Sequence, residues 1–145
     1  MKKECIIICG GGGKTTIYNK YPTLFFDIDD FIWNYENQKM KKELETYILS
    51  ENNTAISKMY QYEMENNDVL RNDTRIILCH HPENAKWLNR NITGIYRPSK
   101  ELHIKNISDR TPYLQQLSIQ DWESLSTYNP IEYSSFEELY NLIPS

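Results

Sequence analysis

Four of the five glycines in this 145-residue chain are consecutive, Gly10 to Gly13, and the run lies between apolar Cys5-Ile6-Ile7-Ile8-Cys9 and polar Lys14-Thr15-Thr16. A chain this poor in glycine has gathered its backbone freedom at one point. The apolar run has strand length and β-branched content, and Lys14 to Tyr18 can start a helix that ends near Pro22, so the glycines join a buried strand to a helix. In that setting successive amide N–H groups can turn onto one anion, where a Cβ would block both the turn and the approach. The spacing therefore predicts a phosphate cradle formed by Gly10, Gly11, Gly12, Gly13, Lys14, Thr15 and Thr16, with Lys14 reaching the β- and γ-phosphates and Thr15 helping to hold Mg²⁺.

The loop departs from the common pattern GxxxxGK[ST], which would put its first glycine at Ile8; it fits the shorter GxxGKT through Gly10, Gly13, Lys14 and Thr15. In this it resembles the loop of Mur-type ligases and, with Cys9 in place of the signature lysine, the KGGxGKT loop of ParA-like ATPases.

A second constellation follows at once. Thr23 to Ile28 reads as a second strand running into acid, so that Asp27, Asp29 and Asp30 cluster at its end. In a parallel sheet that end opens on the same crevice as the glycine loop. One carboxylate there can hold Mg²⁺ through water and another can grip or deprotonate an attacking hydroxyl, while capping of the next helix by Asp29 or Asp30 is the structural alternative.

The remaining pattern is regular. Phe31 to Leu70 is helical in two parts joined near Asn52-Asn53, with Met40, Leu44, Tyr47 and Ile48 on one face and Ile56, Met59, Tyr60 and Met64 on another. Thr74 to Cys79 and Thr93 to Tyr96 read as strands, Pro82 opens a helix through Trp87 and Leu88, and Pro130 to Tyr133 suggests a short fifth strand. Helices are expected from Ser99 and from Tyr113 to Leu125, and a last one has Ser135 as N-cap and Glu138 as its capping-box partner. Alternating strands and helices predict a three-layer α/β fold of the P-loop type, about five mostly parallel strands in one domain over residues 1–145.

Strand, GGGGKTT, helix and then a strand ending FFDIDDFIW resemble the first third of small P-loop kinases of the shikimate, gluconate and nucleoside-monophosphate type. The resemblance implies that Asp27 lies near the metal and that Asp29 grips the substrate hydroxyl. The later segment GIYRPSKELHIKNISDR is similar to the place where such enzymes carry a lid, which makes Arg97 and Arg110 candidates for contact with phosphate. No acid follows RIILC on the third strand, so a metal-holding carboxylate must come from the second.

His80 and His81 fall at the mouth of the third strand, where they can bind substrate or move a proton, or serve only as the turn before Pro82. Cys79, His80, His81 and His103 lack zinc-ligand spacing. Of the aromatic residues Trp33, Tyr35, Tyr60 and Tyr62, Trp33 is the one near enough to the acids to stack on a substrate ring, and the others read as core.

Composition narrows the classes further. A net charge of −4 without a basic run leaves no footprint for duplex nucleic acid, and no apolar stretch is long enough to span a membrane. Three cysteines without a CxxC pair read as reduced and mostly buried, and the expected compartment is the cytoplasm. The expected activity is phosphoryl transfer from ATP, or GTP, with Mg²⁺, to a small-molecule acceptor, a nucleoside or nucleotide by preference. Lys14, Asp27, Asp29 and Arg110 would be catalytic; Asp29, Asp30, Trp33, His80, His81 and Arg97 would bind the acceptor. The alternative is a protein that senses or sequesters a nucleotide without turning it over.

Overall fold

The apolar run becomes the central strand of a five-stranded parallel sheet. The computed structural model describes residues 3–34 and 38–143, and in it β1 (Glu4–Ile8) is flanked by β3 (Ile76–Cys79) and β4 (Asn91–Pro98), with β2 (Phe25–Asp27) and β5 (Ile131–Tyr133) at the edges. The order is β2-β3-β1-β4-β5, and every pairing is parallel. Strand alternation sends the side chains of β1 into two separate cores. Cys5 and Ile7 join one with Ile32, Leu44, Met64 and Leu88; Ile6 and Ile8 join the other with Ile17, Leu139 and Ile143. A strand buried on both faces must be apolar throughout, which is what Cys5 to Ile8 provides.

The helices follow the expected faces with one subdivision. α1 (Lys14–Lys20) leaves the glycine loop, and the stretch to Leu70 contains α2 (Ile28–Asn34), α3 (Gln38–Leu49), α4 (Asn53–Asn66) and α5 (Asp68–Arg71), with the expected break before Asn53 and a further one at Asn67. The second strand is shorter than its sequence suggests, because Asp27 accepts the Asp29 N–H at 3.0 Å and so starts α2 at Ile28. That is the bond an N-cap side chain makes, so the capping acid is Asp27 and neither Asp29 nor Asp30. α6 (Pro82–Leu88), α7 (Lys100–Ile107), α8 (Pro112–Ser124) and α9 (Phe136–Leu142) complete the layers, with a 3-10 turn over Leu125–Tyr128. Ser135 caps α9 as its sequence predicts, but Glu138 reaches back to the Ser134 N–H, at 2.5 Å.

Arg90 fastens the end of the sheet opposite the glycine loop. It is 5% exposed, and its guanidinium donates to the carbonyls of Glu4, Arg71, Asp73 and Arg75 at 2.7–3.3 Å, tying the entries of β1 and β3 together. The fifth glycine also has a reason: a Cβ on Gly94 would lie 2.5 Å from the Tyr96 ring. All three cysteines are free and buried. Among the described residues no helix is long and apolar enough to cross a membrane.

Candidate active site

The carboxyl ends of the strands carry a crevice of about 900 Å³, near the upper end of the roughly 300–1,000 Å³ typical of ligand pockets. Gly10, Gly11 and Gly13 line one side with Lys14, Thr15 and Thr16. Gly11 and Gly13 have φ of +81° and +104°, and a Cβ would lie 2.4 Å from Ile107 and 2.5 Å from Phe136 respectively. Gly12 departs from expectation. Its N–H donates to Cys9 O at 2.9 Å and it does not line the crevice, so it shapes the turn and its amide is already engaged.

Three side chains from later in the chain hold the carbonyls of this loop. The His103 imidazole meets Gly10 O at 2.8 Å, Asn106 donates to Gly11 O at 3.0 Å, and the Tyr133 hydroxyl donates to Gly12 O. With the carbonyls of Gly10, Gly11 and Gly12 each given a partner, the peptide planes are fixed. Because Gly10 O accepts from His103, Nε2 carries the proton in the neutral ring, and burial holds the His103 pKa below its ordinary value.

Lys14 is the electrostatic centre. Its ammonium group is 5% exposed, donates to the carbonyls of Ile8 and Cys9 at 3.1 and 3.3 Å, and pairs with Asp29 Oδ2 at 3.3 Å. Burial disfavours that charge, but Asp29 and Asp27 outweigh it and raise the Lys14 pKa. Asp29 in turn accepts from the Tyr60 hydroxyl at 2.9 Å and lies 3.6 Å from His80 Nδ1. Burial alone would raise the pKa of Asp29; Lys14, His80 and Tyr60 together hold it below the usual carboxylate range.

Asp27 behaves differently. It is fully buried and does not line the crevice; Oδ2 accepts the Thr15 hydroxyl at 3.1 Å while Oδ1 accepts the Asp29 N–H. Burial and the neighbouring Asp29 charge push its pKa up to about 6. A hydroxyl that donates to a buried carboxylate keeps its lone pairs for the crevice. Thr15 presents an oxygen that could serve a hard cation, with Asp27 orienting it from behind.

The other expected residues divide. Trp33, His80, His81 and Arg110 line the crevice. His81 also caps α6, its Nδ1 accepting the Glu83 N–H at 3.1 Å; burial and His80 keep its pKa low. Arg110 donates to Ser118 on α8 at 2.7 Å. Arg97 does not reach the crevice: it bonds Glu132, the Trp122 carbonyl and Ser126, and lies 3.9 Å over the Trp122 ring, so it bolts α8 to the sheet edge. Asp30 stands in the first turn of α2, outside the lining. Tyr62 is 65% exposed and takes no part in the crevice, and Tyr35 lies outside the described residues.

Sequence reasoning missed His103, Asn106, Tyr133 and Asp121 and left Tyr60 in the core. Asp121 lines the crevice from α8, its pKa raised by burial. Gly10 signals its approach, since a Cβ there would lie 3.2 Å from the Asp121 carboxylate.

No protein-family model and no curated protein matches the chain. Among solved structures it is similar to a sugar kinase from Janibacter sp. HTCC2649, whose crystal structure is unliganded, at 15% identity and a TM-score of 0.52, over 93% of this chain and 85% of that one. At that identity the likeness speaks to the fold alone, an α/β arrangement of a parallel sheet flanked by helices.

Proposed function

We propose that the protein transfers the γ-phosphoryl group of ATP, or of GTP, to a hydroxyl or phosphate oxygen of a small nucleoside or nucleotide acceptor. The observation that carries this reading is the 3.3 Å pair between Lys14 and Asp29 on the crevice wall. Lys14 belongs to the glycine side and Asp29 to the α2 side, so a cation suited to phosphate and an acid suited to a hydroxyl meet where a transferring group would pass.

In this mechanism the amides of Gly11, Gly13 and Lys14 hold the donor phosphates and Lys14 follows the charge of the departing phosphoryl group. Bound magnesium would neutralise phosphate oxygens beside Thr15. Asp29 accepts the hydrogen bond of the acceptor hydroxyl and aims its lone pair. With its pKa held low, Asp29 is a weak base, which suffices where the transition state is loose and the proton leaves late. His80, beside Asp29, can take that proton. Arg110 approaches phosphate from the α8 side.

The test is incubation of the protein with ATP or GTP, Mg²⁺ and a panel of nucleosides and nucleotides, with ADP or GDP release and ³¹P NMR of the product. Phosphorylated acceptor is expected. Tight nucleotide binding without product would replace this reading by that of a nucleotide sensor, and absence of nucleotide binding would remove both.

A further inference from the structure

Resting on the phosphoryl-transfer reading, we infer that the acceptor is an uncharged nucleoside and not a nucleotide or a sugar acid. The argument is the disposition of cations around the crevice. Four of the five arginines are committed elsewhere: Arg71 to the carbonyls of Met64 and Trp87, Arg75 to Asp73, Arg90 to four carbonyls, and Arg97 to Glu132 and Trp122. Arg110 does line the crevice, but from the wall that α8 forms, where it is bonded to Ser118.

The opposite wall, built by α2, α3, α4 and the start of α6, contributes no lysine or arginine among the described residues that line it. Its charged groups are the acids Asp29 and Glu83, and its two histidines offer little to an anion. His80 lies 3.6 Å from Asp29, which claims any charge it carries, and His81 accepts a backbone N–H through Nδ1. A phosphate or carboxylate on the acceptor would lose its water to a wall bearing two acids and no guanidinium.

What that wall does offer is flat and apolar. Trp33 and Trp87 both pack on the core and both face the crevice, with Ile48 and Ile56 beside them. Its neutral hydrogen-bonding groups are Asn53, Ser57, Asn84, the Tyr60 hydroxyl and the two indole N–H groups, of which Tyr60 already donates to Asp29 and Asn84 Oδ1 already accepts the N–H groups of His80 and His81. A hexose has hydroxyls on every side and would leave most of them unpaired here; a nucleoside brings a planar base to the indoles and one primary hydroxyl to Asp29.

The experiment uses the full chain with ATP and Mg²⁺ against adenosine, uridine, their 5′-monophosphates, gluconate and glucose, with kcat/KM for each and calorimetry of acceptor binding without ATP. Nucleosides should exceed the monophosphates and gluconate by about 100-fold or more. Trp33→Ala should raise the nucleoside KM about tenfold and leave that for ATP unchanged, with Trp33→Phe restoring most of the loss. Preference for a monophosphate, gluconate or glucose would overturn the inference and leave phosphoryl transfer standing. Nucleoside binding without transfer would overturn the transfer reading and leave the nucleoside site, and neither binding nor transfer would remove both.

Discussion

Asp27 lies behind Thr15, its Oδ2 accepting the Thr15 hydroxyl proton at 3.1 Å from a position with no solvent exposure. The consequence is a dependence on pH. The Asp27 pKa is about 6, so acidification through that value protonates the carboxyl and removes the acceptor that orients Thr15. Metal-dependent turnover should fall below about pH 6, and Asp27→Asn should be poorly active with that limb gone; an unchanged limb in the variant would assign it to another group. The effect on stability has the opposite sign. A carboxyl whose folded pKa is raised stabilises the fold fully below its unfolded value of about 3.8, and this contribution is lost as pH rises through about 6. The melting temperature of Asp27→Asn should therefore gain on that of the native chain between pH 4 and pH 7.

Lys14→Ala should reduce kcat/KM by about 10²–10³ at least, as loss of a charge-stabilising donor does. It also leaves Asp29 and Asp27 facing each other without their shared cation. Because the Asp29 carboxyl is 31% exposed, the loss falls below the roughly 3–5 kcal/mol of a fully buried pair, and the variant should be destabilised at pH 7 and recover as the acids protonate. Denaturant titrations at pH 5 and pH 7 distinguish this from a purely catalytic loss.

Gly13→Ala combines a φ of +104° with a Cβ 2.5 Å from the Phe136 ring. The left-handed conformation costs about 1–2 kcal/mol and the overlap about 1–3 more. Adding Phe136→Leu should return part of the loss, because it relieves the overlap and leaves the backbone strain. Full recovery in urea unfolding would show that the dihedral is harmless.

Tyr133→Phe removes the donor to Gly12 O and leaves that carbonyl without it. At about 1–2 kcal/mol for such a bond, nucleotide affinity should weaken by roughly 5–30-fold with little change in kcat, as measured by calorimetry and initial rates.

Arg90→Lys should not rescue what Arg90→Ala loses, since an ammonium cannot reach four carbonyls of two strand entries at once. Losses of about 3 kcal/mol or more are expected for the alanine variant, with a small fraction returned by lysine, read from thermal and chemical unfolding.

The parallel α/β architecture, the buried first strand and the glycine-to-helix junction were legible because each rests on neighbours in sequence: an apolar run, a turn that needs positive φ, a proline or serine at a helix start. Asp27 and Asp29 were legible as acids at a strand end. Their division of labour was not, because it depends on the N-cap bond that turns Asp27 inward and on Lys14, which stands beside Asp29. His103, Asn106 and Tyr133 were invisible for another reason. They meet the glycine loop across 93, 95 and 121 residues, and a polar side chain bonding a distant carbonyl leaves no periodicity to read. Arg97 misled because the sequence reads the fourth strand as ending at Tyr96, which would free Arg97 for a lid, whereas it lies within β4 and Trp122 and Glu132 hold it at the sheet edge.

The three partners of the loop carbonyls also fix an order of events during synthesis. Gly10 to Gly13 are made before the residues that hold them, since their backbone acquires its final hydrogen bonds from positions 103, 106 and 133. A nascent chain thus carries its glycines long before it carries the scaffold that sets them, and the capacity to hold an anion there arrives with the last strand. Premature termination before Tyr133 would leave a product whose most conspicuous motif is intact in sequence and unfinished in structure.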